Sequence, residues 1–177
     1  MSPFVRRVLP PRGTLLVAGA LASACARGAP DVPAADSLPT PEFPAAGSVS
    51  LERGSCYGTC PVYTVSVDRS GAVRFEGRRF VADTGVFTAI APAARVDSLL
   101  AELEAGGFFR LVDRYGMGEP GCDRYATDLP TVIIEVRVGG RTKRVEHDHG
   151  CAGAPAALSA MERRIDEVTG VEQWVGR

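Results

Sequence analysis

Twice along this chain an alternating apolar run turns on glycine and gives way to a proline-led helical period. In the first copy Tyr63, Val65 and Val67 alternate with Thr64, Ser66 and Asp68, a period of two that gathers the apolar set on one face of a strand. Asp68-Arg69-Ser70-Gly71 follows, with Asp first and Gly fourth as a type I turn prefers. The chain returns through Val73 and Phe75 with Arg74, Glu76 and Arg78 facing out, which makes a β-hairpin. Phe80 to Ile90 is expected to add another strand. Pro92 then opens a helix on which Val96, Leu99, Leu100 and Leu103 share a face, and Gly106-Gly107 stops it.

In the second copy Val132, Ile134, Val136 and Val138 alternate with Ile133, Glu135 and Arg137. Gly139-Gly140 makes a two-residue turn and Arg141 to His149 returns. Pro155 opens a helix with Leu158, Met161, Ile165 and Val168 on one face and Gly170 at its end. A short strand, Ser48 to Arg53, precedes the first hairpin, and residues 113 to 130 lack any period and read as a long loop. Two antiparallel hairpins and two helices predict an α+β domain over residues 48–177, a sheet with both helices packed on one face.

The first quarter of the chain does not belong to that domain. Arg6, Arg7 and Arg12 form a basic start, and Thr14 to Ala24 is an uncharged run too short to span about 30 Å of hydrocarbon as a helix. Ala22-Ser23-Ala24 before Cys25 fits the small-x-small rule of a cleavage site, so residues 1–24 read as a signal peptide. A cysteine there resembles the lipobox of bacterial lipoproteins, except that Leu21 stands four residues before it and Ala22 takes the usual leucine place. The alternative is ordinary cleavage that leaves Cys25 unmodified.

Cysteine number favours lipid. The chain has five cysteines, Cys25, Cys56, Cys60, Cys122 and Cys151, and an exported protein seldom keeps an odd thiol. Lipidation of Cys25 by palmitate or a similar acyl chain leaves four to pair. The expected place is the cell envelope, with the chain held to a membrane through Cys25 and its domain on the periplasmic side. Residues 25–47, rich in Ala and Pro, then form a linker, extended at about 3.1 Å per residue and able to reach roughly 70 Å.

Charge removes one class of partner. The whole chain carries −1, and the leader holds three arginines and no acid, so the remainder is about −4. A mildly acidic domain without a Lys/Arg block has no footprint for nucleic acid.

Ser50-Leu51-Glu52-Arg53 running into Cys56-Tyr57-Gly58-Thr59-Cys60-Pro61-Val62-Tyr63 resembles the opening of a bacterial family known as domain of unknown function 6438. The likeness continues through Gly71 to Phe80, Gly107-Phe108-Phe109, Thr127 to Thr131 and Gly140 to Lys143, and ends near Trp174. The resemblance implies an exported protein, often a lipoprotein. It implies no activity and hands over no catalytic residue.

The residues that could carry chemistry are few. Cys56 and Cys60 enclose three residues, with Gly58 permitting the tight closure, and in an oxidising compartment they form a structural disulfide. Cys-x-x-x-Cys-Pro with a distant histidine also resembles the motif of Sco-type copper chaperones. There it leads into a helix, whereas here it leads into an alternating strand, which leaves a convergent redox or copper pair as the alternative.

His147 and His149 are the only histidines. Counting back from Gly139-Gly140 places Val132 opposite His147 and Pro130 opposite His149, on the apolar face. If the strand stays extended, Cys151 joins them, and such a row could begin a zinc or copper site. Gly150 argues against extension, and Cys122 offers Cys151 a partner in a second disulfide, with residue 151 opposite Asp128. On that reading no cofactor is bound.

Asp128, Glu146 and Asp148 supply carboxylates but no acid–base spacing, and neither a nucleophile elbow nor a phosphate loop is present. The leading expectation is a non-catalytic envelope lipoprotein, a binding or structural module. Its rivals are a metal or redox protein using Cys56, Cys60, His147 and His149, and a hydrolase with an unrecognised site.

Overall fold

A computed structural model describes residues 47–176 of the chain. The stretches that sequence reads as signal peptide and linker, with Cys25, lie outside the described residues through residue 46. Eleven segments follow in order: β1 (Ser48–Arg53), β2 (Val62–Asp68), β3 (Ala72–Arg79), β4 (Gly85–Ile90), α1 (Ala93–Ala105), a 3-10 turn (Phe108–Arg110), β5 (Arg114–Tyr115), β6 (Thr131–Val138), β7 (Arg141–Asp148), α2 (Ala156–Thr169) and α3 (Glu172–Val175).

The strands form one sheet in the order β4-β3-β2-β1-β6-β7-β5. Every pairing is antiparallel except the short parallel contact of β5 with β7. The fold is α+β, and the two expected hairpins are present as β2-β3 and β6-β7. Strand β1 lies between them and joins both into a single surface.

Period-two patterning decides which face is covered. Val49 and Leu51 of β1, Val65 and Val67 of β2, Phe75 of β3 and Ile134 and Val136 of β6 all point inward and are buried. They share one core with Val96, Leu99, Leu100 and Leu103 of α1 and with Leu158 and Ile165 of α2. The helices therefore pack on a single sheet face. The opposite face carries Arg–Glu contacts such as the half-buried Arg74–Glu76 and the exposed Arg78–Glu52, and solvated pairs of this kind contribute little each.

The turns obey their residues. Gly71 donates its N–H to the Asp68 carbonyl at 2.9 Å, closing the type I turn. Gly139 and Gly140 both take positive φ, 58° and 76°, as the hairpin turn that matches strand twist demands. Gly106 caps α1, and Gly107, at φ 85°, turns the chain into the 3-10 turn.

Four sequence expectations shift. The strand foreseen over Phe80 to Ile90 begins only at Gly85, because Phe80 sits at φ 55° and breaks the extended run. The loop over residues 113–130 contains β5, whose two residues pair alongside Glu146 and His147. A short helix, α3, follows α2 and lays Trp174 against Phe75, ring centroids 4.9 Å apart. Gly47, placed in the linker by sequence, is buried and accepts a 3.0 Å hydrogen bond from the Arg69 N–H.

Candidate functional site

One cross-strand row departs from the apolar rule of the covered face. Tyr63 pairs with Arg53, Arg53 with Val132, Val132 with His147, and His147 with Tyr115. Four of these five side chains carry polar atoms, and the row runs along the end of the sheet beneath α2. Buried polar atoms need partners, and α2 supplies two carboxylates one helical turn apart, Glu162 and Asp166.

Glu162 is 1% exposed. Its Oε1 lies 2.6 Å from His147 Nδ1 and its Oε2 lies 2.9 Å from His149 Nε2. Burial by itself pushes a carboxyl toward the neutral form, but the hydrogen bonds from His147 and His149 and the charge they carry outweigh it, and Glu162 is held down at about 2. An ionised carboxylate only accepts hydrogen bonds, so His147 Nδ1 and His149 Nε2 both donate. The two rings lean together, centroids 4.5 Å apart.

Asp166 binds the other half of the row. Arg53 Nη2 donates to its Oδ2 at 2.6 Å and Arg53 Nε at 3.2 Å, while the Tyr63 hydroxyl donates to Oδ1 at 2.8 Å. Arg53 Nε also donates to the Tyr63 oxygen at 2.9 Å. Burial opposes the guanidinium charge, but Asp166 and Tyr63 overcome this and raise Arg53 above its ordinary value. Burial, and next the Asp166 carboxylate, push the Tyr63 phenol above its ordinary range. Arg53 Nη1 stands 3.9 Å from Glu162 Oε2, so one guanidinium links the two carboxylates.

Beside this network a groove of about 660 Å³ opens, lined by Arg53, Tyr63 and Asp166 with Arg95, Arg163 and Glu172 at its sides. Three arginines and three acids, Asp166, Glu167 and Glu172, line it, which suits a polar ligand more than an apolar one.

Cys56 pairs with Cys60, and Cys122 with Cys151. The Cys56–Cys60 bond occupies the thiolates that copper binding there would use, and it is the oxidised form that a redox pair would also take. His147 and His149 do share the covered face, with Val132 opposite His147 and the His149 N–H on the Pro130 carbonyl at 3.0 Å. Cys151 leaves that row: β7 ends at Asp148, and Cys151 bridges to Tyr125 rather than lying opposite Asp128. The cause is local backbone, since Asp128 takes φ 72° and Gly150 lies so near the Ala126 carbonyl that a side chain there would clash.

Sequence reading missed Glu162, Arg53, Tyr63 and Asp166 as members of the site. A signal for the first was present: Glu162 stands four residues after Leu158 and three before Ile165, on the face that the apolar period itself marks as buried. His147, His149 and Glu162 each present one ligand-type atom, and these atoms all lie within 4.8 Å of one another. The arrangement can brace α2 onto the sheet or surround a cation.

No curated protein matches the chain. The model of a family described as Domain of unknown function (DUF6438) matches residues 47–169, a span that holds Arg53, Tyr63, both histidines, Glu162 and Asp166. With the match running from β1 to the end of α2, the chain belongs to the DUF6438 family.

Proposed function

We propose that this protein is a non-catalytic lipoprotein of the cell envelope, a small binding or structural module held outside the cytoplasm by a lipid on Cys25. The observation that carries the reading is the pairing of all four domain cysteines into two disulfides. Such bonds persist in oxidising compartments, and the pairing leaves Cys25 as the odd cysteine, behind a leader with the features of an export signal. Acylated at that position, the chain has an anchor that needs no spanning helix, and among the described residues no helix is long and apolar enough to cross a membrane.

The non-catalytic part of the reading is supported by how the buried charges are spent. A general acid or base needs a proton poised near the working pH, whereas Glu162 is held at about 2 by two histidines and both Asp166 oxygens accept hydrogen bonds. The groove beside them offers the module a polar surface for a ligand or partner.

Labelling cells with radioactive palmitate tests the anchor. Wild-type protein is expected to take up label and sediment with membranes, and Cys25→Ser is expected to lose the label and become soluble. Unlabelled, soluble wild-type protein overturns the proposal.

A further inference from the structure

We infer that His147, His149 and Glu162 form a binding site for a divalent transition ion of the zinc class. β7 carries His147, His149 follows just past the strand's end with its N–H on the Pro130 carbonyl at 3.0 Å, and α2 delivers the carboxylate against both rings. One donor atom from each residue falls within a common 4.8 Å span. Ligands at about 2.1 Å from a tetrahedral zinc stand roughly 3.4 Å from each other. The two imidazole–carboxylate contacts, at 2.6 and 2.9 Å, therefore open by less than about 1 Å, and the donors spread within 4.8 Å draw in by no more than about 1.4 Å, to admit an ion. That movement is within the reach of side chains on fixed backbones.

An ion displaces the two protons that bridge the cluster. Each imidazole now carries its proton on the nitrogen that faces Glu162. To ligate an ion each ring must present a lone pair on that nitrogen, its proton moving to the other ring nitrogen, His147 Nε2 or His149 Nδ1, or leaving to solvent. The ion then takes the place of the two bridging protons.

The surrounding charges permit a cation. Arg53 is the nearest positive group, and it lies 2.6 Å from Asp166 but 3.9 Å from Glu162. Its charge is matched by Asp166, which leaves that of Glu162 for the ion. His149 has a 30% exposed side chain while His147 and Glu162 are enclosed, so one side of the cluster admits the ion and a water to complete its coordination. Two imidazoles and one carboxylate make a borderline donor set that suits zinc, whereas magnesium and calcium prefer all-oxygen sites. Copper(I) favours thiolate sulfur, and the four domain cysteine sulfurs are bonded to one another.

The chain makes the test clean, because it contains only these two histidines. Untagged full chain is titrated with zinc alone against a chromophoric chelator, and separately with cobalt(II) for its visible ligand-field bands. Wild type is expected to bind one zinc per chain and to give cobalt bands of a low-coordinate site. His149→Ala, at the exposed edge of the cluster, and Glu162→Gln, which keeps side-chain shape, are each expected to weaken zinc at least about tenfold and to bleach the cobalt bands. Circular dichroism of the metal-free variants reports whether they fold, and His149→Ala decides if Glu162→Gln does not. Failure of wild type to bind zinc at about 10 μM free ion, or equal binding by His149→Ala, overturns the inference and leaves the cluster as a brace.

Discussion

Arg53 and Asp166 meet at 2.6 Å across the seam between the first strand and the second helix, 113 residues apart in the chain. Their side chains are 19% and 13% exposed. A pair this enclosed tolerates loss of one member poorly, because the other stays behind as an uncompensated charge. Asp166→Ala is expected to lower unfolding free energy by about 2 to 4 kcal/mol, and Asp166→Asn by less, since an amide oxygen still accepts from Tyr63. Urea denaturation measures both. A loss below about 0.5 kcal/mol for the alanine variant contradicts the role given to this pair.

Tyr63 gives the domain an alkaline limit. Its phenol is raised above the ordinary value by burial and by Asp166, so the folded state favours the protonated form. A group with a raised folded pKa contributes fully below its unfolded pKa, about 10 for tyrosine, and its contribution fades as pH rises beyond that. Stability is expected to fall above about pH 10, and Tyr63→Phe is expected to fall less steeply there while starting about 1 to 3 kcal/mol lower at neutral pH, from its lost hydrogen bonds. Identical alkaline slopes for the two proteins would falsify this assignment.

The hairpins were legible because their geometry is local. Gly139-Gly140 fixes the tip, and counting outward from it pairs Val132 with His147, as observed. The same count fails beyond Asp148, where the left-handed Asp128 and the turn at Gly150 redirect both chains and Cys151 meets Tyr125. Both disulfide partners were still legible, since a bridge constrains proximity and not strand register. The site was half legible. His147 and His149 could be set on the inward face, but their acceptor comes from a helix 13 to 15 residues later. Carboxylates on helices read as surface, and only the flanking Leu158 and Ile165 betray Glu162. Arg53 and Tyr63 were hidden for a different reason: they become neighbours only when β1 is seen to pair with β2, a tertiary fact.

The two disulfides differ in what they close. Cys122 and Cys151 are 29 residues apart and Cys56 and Cys60 only four. Chain-entropy reasoning gives about 3 to 4 kcal/mol for the longer ring and about 2 for the shorter, with strain able to reduce either. Cys122→Ser with Cys151→Ser is expected to lower the melting temperature clearly more than Cys56→Ser with Cys60→Ser. Thermal melts of the two double variants settle the ranking. The reverse order would mean that the loop before β6 keeps its place without its tether to Cys151.

Gly47, the first of the described residues, is buried against the domain. Its carbonyl accepts the Arg69 N–H at 3.0 Å, and its φ of 137° favours glycine. A side chain added there would meet Leu100 Cδ1 at 3.2 Å and the Arg137 carbonyl oxygen at 3.5 Å. Strained backbone and a tight contact against the core act together, so Gly47→Ala is expected to cost about 1 to 3 kcal/mol. Sequence assigns the preceding Ala/Pro-rich segment to a linker that contributes no core residue, so a chain starting at Ala45 is expected to melt with one starting at Ala26. A chain starting at Val49 removes Gly47 and Ser48 and is expected to melt several degrees lower. Calorimetry on the three truncations reads the difference. A lower melting temperature for the Ala45 start than for the Ala26 start would show that residues 26–44 support the domain, and equal melting for all three would show that Gly47 does not.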